Sequence, residues 1–129
     1  YDGMPANRLV NVLIFMDGVN EFNGPLMLVP GSHRGEAIKN DVDDTTTSYP
    51  IRALDNSRVA SAVEVNGIVA PKGPAGSVIF ANTNIIHGSA SNLSPWDRAL
   101  ISLTLNSVEN KHHGSSRPDW VVMNNFSPA

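Results

Sequence analysis

Ser77-Val78-Ile79-Phe80-Ala81-Asn82-Thr83-Asn84-Ile85-Ile86-His87-Gly88-Ser89, followed by Ala90 to Asp97 and then Arg98-Ala99-Leu100-Ile101-Ser102-Leu103-Thr104-Leu105-Asn106-Ser107-Val108, is the stretch that decides the fold. Residues 77–81, with β-branched Val78 and Ile79 and aromatic Phe80, read as a strand. Residues 84–87 read as a short second strand, and Arg98 to Val108 as a long third. A histidine leaves one strand and an arginine opens the next, eleven positions apart. Such a pair can hold a metal and a carboxylate side by side. Simpler readings exist for each residue. A lone histidine at a strand end is more often a structural or surface residue. Arginine at a strand start ordinarily makes a weak surface ion pair, with Asp97 the nearest partner. Serine beside a turn, here Ser89, usually bonds backbone.

The same pattern continues outward. Leu9 to Met16 is apolar on both faces, as expected of a strand buried between neighbours. Asp17-Gly18 and Asn23-Gly24-Pro25 are turn signals around Val19 to Phe22. Leu26 to Val29 is another strand, stopped by Pro30-Gly31. Residues 35–63 are polar and poorly periodic. Within them Asp41 to Ser48 reads as a solvated loop and Leu54 to Val63 as a short helix. A structureless loop of that length is uncommon in a compact domain, and such loops often bind ligands. Residues 67–70 return to ordered structure, Pro71 to Gly76 is a turn, and Ser115 to Ala129 is loop-like. Short strands punctuated by Gly and Pro predict a sandwich or barrel. The long strand carries Arg98, Leu100, Ser102, Thr104 and Asn106 on one face and Ala99, Ile101, Leu103 and Leu105 on the other. Alternation alone favours the polar face outward. A ligand-holding barrel would invert this.

Composition narrows the function. The chain has 129 residues, one domain's worth, with a formal net charge of −3 and no basic stripe. Nucleic acid is therefore not an expected partner. No apolar run is long enough to span a bilayer, and no membrane partner is expected. The absence of cysteine excludes disulfides and thiolate metal sites and fits a cytoplasmic enzyme. The first residues, Tyr1-Asp2-Gly3-Met4-Pro5, carry no charged-then-apolar leader. Starting on Tyr1 in a turn-like segment suggests that more chain precedes it. Asp41, Asp43 and Asp44 lack the glycine and distal glutamate of a calcium loop. His33 reads as part of a loop-shaping Pro-Gly-Ser-His motif, and His112 and His113 as a solvated segment.

Asp2-Gly3-Met4-Pro5, Asn23-Gly24-Pro25-Leu26, Pro30-Gly31-Ser32-His33-Arg34 and His87-Gly88-Ser89 with Arg98, in that order, resemble the phytanoyl-CoA dioxygenase family. The likeness is to its ectoine-hydroxylase-like branch, over residues 1 to about 110. The resemblance implies an all-β core, a double-stranded β-helix or cupin-like jelly roll. It implies Fe(II), 2-oxoglutarate as co-substrate, and dioxygen. It implies His87 as the second histidine of a two-histidine, one-carboxylate triad. Arg98 would pair with the distal carboxylate of 2-oxoglutarate, and Ser89 would add a hydroxyl hydrogen bond. A guanidinium suits that task because it grips a carboxylate bidentately and stays charged when enclosed.

The chain departs from the pattern in two places. The family's His-x-Asp ligands lie just before Asp-Gly-Met-Pro, which is where this chain starts. Residues 1–129 are therefore expected to be the C-terminal, N-terminally incomplete part of one jelly-roll domain, with a lid or substrate loop at 35–63. Alone they should bind iron weakly, turn nothing over and tend to associate. By the same resemblance Ala81 and Ser102 stand where ectoine hydroxylases place aromatic residues near the substrate, so a small amino-acid-like or other polar metabolite rather than ectoine is expected, with fatty acyl-CoA as the alternative. The alternatives are a halogenase of the same fold, which would differ at the Asp of His-x-Asp, and a non-enzymatic jelly-roll binding module.

Overall fold

A computed structural model describes residues 5–34, 41–43 and 51–111. Strand β1 (Leu9–Phe15) is the centre of the main sheet. It pairs antiparallel with β5 (Val78–Asn82) on one side and β7 (Leu100–Asn106) on the other. Occupying the central position explains why β1 is apolar on both faces: Val12 and Phe15 are both buried although they point in opposite directions. A second sheet pairs β2 (Leu26–Leu28) with β6 (His87–Ser89). Val69 bridges the free side of Leu28. Leu28, Val29 and Ile86 are buried at this junction.

Cross-strand partners share a face, so the register sorts the main sheet. Leu9, Asn11, Leu13 and Phe15 lie with Ile79 and Ala81, and with Leu100, Ser102, Thr104 and Asn106. Leu9, Phe15 and Ala81 on that face are buried, whereas Ser102 and Thr104 remain open to solvent. On the opposite face Val12 is buried, whereas Val78, Phe80, Ile101, Leu103 and Leu105 are exposed, with Phe80 at 72%. The simple sorting suggested by alternation is therefore inverted. The polar row that continues to Arg98 lies on the inner, partly wet face.

Within 35–63 the described residues, 41–43 and 51–63, are more structured than their composition suggests. Asp41–Asp43 (β3) and Ile51–Ala53 (β4) form a two-stranded antiparallel sheet, so the expected solvated loop begins with a strand. Helix α1 spans Asn56–Asn66, two to three residues later than expected. Its start is set by Asp55, whose side chain accepts the Ser57 N–H at 2.7 Å. That backbone hydrogen bond, reinforced by the Ser57 side chain, holds the Asp55 carboxyl below its ordinary value. Its end is set by Gly67 at φ +69°, which donates to the Val63 carbonyl. No described helix is long and apolar enough to cross a membrane.

Two further boundaries differ from the sequence expectation. The short strand before the histidine is a turn, and β6 begins at His87. The long strand begins at Leu100, which leaves Arg98 outside it. Asp2, Gly3, Met4, His112, His113 and the segment Ser115 to Ala129 lie outside the described residues.

Candidate functional site

His87 opens β6 opposite Leu28. Its ring is exposed, and Nδ1 lies 2.8 Å from the Ile85 carbonyl. A carbonyl only accepts, so Nδ1 is the donor, and in the neutral ring Nε2 is then the nitrogen left for a metal. Metal-binding histidines are commonly oriented in this way, with the second nitrogen donating to a backbone oxygen. The backbone beneath the ring is held too. The Ile86 N–H donates to Ser32 Oγ at 2.9 Å, and the Ile86 carbonyl accepts from Val29 at 2.9 Å. Ser32 follows Gly31, at φ +78°, and opens a single 3-10 turn (Ser32–Arg34). The Pro-Gly-Ser-His motif thus shapes a loop, as its sequence suggests, and that loop grips the residue before His87. Ser89 is two residues along the same strand, so it shares a face with His87.

Arg98 is half-buried. Its Nε is enclosed and has no hydrogen-bond partner among the described residues. The ion pairs among the described residues are Arg8–Glu109 and Lys72–Glu21. Asp97 is therefore not its partner, which removes the simple surface-pair reading. An enclosed guanidinium nitrogen with nothing to donate to is costly.

The connection between His87 and Arg98, residues 90–97, rests on the connection between β1 and β2. Asn23 has no exposed surface. Its carboxamide oxygen accepts the Asn20 N–H at 2.9 Å, and its Nδ2 donates to the carbonyls of Gly18 at 2.8 Å and Asp97 at 3.1 Å. Gly24, at φ +72°, lies so close to Ala90 that a Cβ would sit 2.6 Å from the Ala90 carbonyl oxygen. Phe22 and Trp96 stack obliquely across the same junction, with ring centroids 6.3 Å apart. Sequence reasoning missed Asn23, Asp17 and Ser32 as parts of the site. The Asn-Gly and Asp-Gly pairs carry an ordinary turn signal, and nothing local marks a contact 74 residues away.

Among the described residues there is no cluster of three or more His, Cys, Asp or Glu side chains that could hold a metal. His87, the residue expected to bind metal, stands apart from other such side chains among the described residues.

Comparison with known proteins gives concordant results. The profile of the phytanoyl-CoA dioxygenase (PhyH) family matches residues 1–100. The chain is 40% identical over 132 residues to the ectoine dioxygenase of Bordetella parapertussis, covering 94% of this chain and 43% of that protein. It is 33% identical over 141 residues to the L-proline trans-4-hydroxylase of Streptomyces griseoviridis, covering 98% of this chain and 51% of that protein. Among solved structures, EctD from S. alaskensis with bound Fe superposes with a TM-score of 0.79 at 32% identity. The same protein with 2-oxoglutarate and 5-hydroxyectoine gives 0.78 at 33%. Both alignments cover 99% of this chain and 43% of the neighbour. The all-β core is that of the double-stranded β-helix dioxygenases. The chain spans about half or less of the length of the curated relatives it matches.

Proposed function

The chain belongs to the phytanoyl-CoA dioxygenase family, and from that membership we propose that the protein carrying it is an Fe(II)- and 2-oxoglutarate-dependent hydroxylase of a small metabolite. His87 would hold the metal through Nε2, the nitrogen left open by the bond from Nδ1 to Ile85. Arg98 would take the distal carboxylate of 2-oxoglutarate, and Ser89, on the face of His87, would add a hydroxyl hydrogen bond. When bound, Fe(II) supplies the activation of dioxygen that hydroxylates a C–H bond and converts 2-oxoglutarate to succinate and CO2. This chain's own residues bind, orient and enclose. The observation that carries the reading is that Arg98, half-buried and eleven residues after His87, makes no ion pair among the described residues, which leaves its guanidinium for a carboxylate from outside the chain.

Residues 1–129 would contribute to one jelly-roll domain, with substrate selection in 35–63. The small side chain of Ala81 faces the inner side of the sheet beside Asn11, and Ser102 lies on that side near the solvent. The resemblance implies aromatic rings at these positions in the branch, and smaller side chains there would admit a substrate of different shape. Ectoine and L-proline, for which two relatives are named, set the size class.

The test uses the complete polypeptide. Arg98→Lys keeps the charge and loses the bidentate fork, so the KM for 2-oxoglutarate should rise about ten- to a hundredfold, the loss of one charge-assisted hydrogen bond. His87→Ala should abolish succinate formation and weaken iron binding. Unchanged 2-oxoglutarate turnover in both variants would refute the proposal.

A further inference from the structure

Arg98 lies two residues before β7 begins, so the regular ladder does not hold it. It is nevertheless pinned on both sides. The Asp97 carbonyl accepts from Asn23 Nδ2 at 3.1 Å. The Ala99 N–H donates to Asp17 Oδ2 at 2.7 Å, and the Ala99 carbonyl accepts from the Met16 N–H at 2.9 Å. Asn23 is itself immobilised, buried and bonded at both ends of its amide. Its orientation is chemically determined, since the reverse would place an oxygen against two carbonyl oxygens. Asn20 closes the loop by accepting the N–H groups of Phe22 and Asn23 at 2.8 and 3.2 Å.

We propose that Asp17 and Asn23 are positioning residues for the co-substrate, a bracket that fixes the backbone on either side of Arg98 so that its guanidinium meets the carboxylate of a 2-oxo diacid in bidentate register. The inference rests on reading Arg98 as the 2-oxoglutarate anchor. A fork–fork contact tolerates about half an ångström of misplacement. An arginine on a free strand end must also give up its side-chain freedom at the moment of binding. A bracket that orders the backbone beforehand lowers that cost. Neither bracket residue touches the reacting atoms, so loosening them weakens co-substrate binding and leaves the chemical step intact. In kinetic terms KM rises while kcat holds.

The experiment uses the complete iron-loaded protein and two readouts: steady-state KM and kcat for 2-oxoglutarate, and its Kd by calorimetry without oxygen, where no turnover occurs. Asp17→Ala and Asn23→Ala should each raise both KM and Kd about tenfold, roughly the worth of one hydrogen bond in positioning, with kcat within about twofold. Asp17→Asn keeps an oxygen that accepts the Ala99 N–H and should stay within about threefold of wild type. Asn23 is buried, so its variant can fail to fold; Asp17, only half-buried, then carries the test. A folded Asp17→Ala protein with wild-type Kd overturns the proposal, as does an Asp17→Asn protein impaired as much as Asp17→Ala. Arg98→Ala separates the two levels of the argument. If it weakens binding while the bracket variants do not, the bracket alone is wrong. If it leaves Kd unchanged, the anchor reading and the bracket fall together.

Discussion

Replacing Gly24 by alanine should be the most damaging single-methyl change among the described glycines, and two other glycines provide its controls. Gly24 has φ +72°, and an added Cβ would lie 2.6 Å from the Ala90 carbonyl oxygen, 3.1 Å from the Asn92 nitrogen and 3.3 Å from the Ser91 carbonyl carbon. All three are backbone atoms, so no side chain can swing away. The left-handed conformation costs an L-residue about 1–2 kcal/mol. Forcing the two connections apart by roughly half an ångström adds about 1–3 kcal/mol, the range for overpacking a well-filled site. Gly76 has φ +88° but nothing within 4 Å of its Cβ position, so Gly76→Ala should pay the conformational term alone, about 1–2 kcal/mol. Gly18 has neither strain nor a neighbour, and Gly18→Ala should be neutral or gain up to about 1 kcal/mol through the unfolded chain. Urea denaturation of the three variants in the complete protein measures these differences. The 90–97 connection joins His87 to Arg98, so Gly24→Ala should also weaken 2-oxoglutarate binding, while Gly76→Ala should not. Equal destabilisation by Gly24→Ala and Gly76→Ala would refute the claim that the backbone approach matters.

Two further variants probe the supports of the fold. Ser32→Ala leaves the N–H of buried Ile86 without its acceptor and should cost about 1–3 kcal/mol. It should also lower iron affinity roughly tenfold by loosening the backbone under His87, with Ser32→Thr restoring both; calorimetric iron titration checks this. Asp55 caps α1 with its carboxyl held below the ordinary value near 3.8 by the hydrogen bonds of Ser57. A folded-state value below the unfolded one stabilises the protein above the unfolded value, and the benefit disappears as pH falls through the folded one. The stability difference between wild type and Asp55→Ala should therefore be constant from neutrality down to the carboxylate range and shrink on further acidification. A difference that persists undiminished at full protonation would count against the carboxylate as the source.

The legible parts of this fold are those where the sequence pattern is also the cause of the structure. Val10, Val12, Leu13, Ile14 and Phe15 make a strand between two strands, and their length and β-branched content favour a buried strand over a buried helix segment. The hairpin of β3 and β4 was not legible. Asp41-Val42-Asp43 and Ile51-Arg52-Ala53 are three-residue strands, too short for periodicity, and pairing across the intervening residues supplies what propensity does not. His87 and Arg98 were legible only as part of a set of motifs. The nitrogen that His87 leaves open, and the carboxylate Arg98 does not pair with, depend on contacts that the local sequence does not encode.

The spacing between His87 and Arg98 has a physical explanation that a motif does not give. Eleven residues is not a mechanical unit; a connection of that length between two sheets could take many courses. One course is selected because the β1–β2 connection presents two features at once. Glycine at 24 permits backbone-to-backbone approach where any Cβ would meet the Ala90 carbonyl. Asparagine at 23 supplies one acceptor and two donors from a single buried group, meeting Asn20, Gly18 and Asp97. Aspartate there would face two carbonyls with lone pairs, and alanine would leave three backbone groups unmatched. An Asn-Gly pair that reads as a turn is thus constrained by a tertiary contact at each of its two residues. The same pair that bends the chain after β1 sets where β6 ends and where Arg98 begins. In this fold, that is how a histidine on one sheet and an arginine beside the other acquire a fixed relation without a strand running between them.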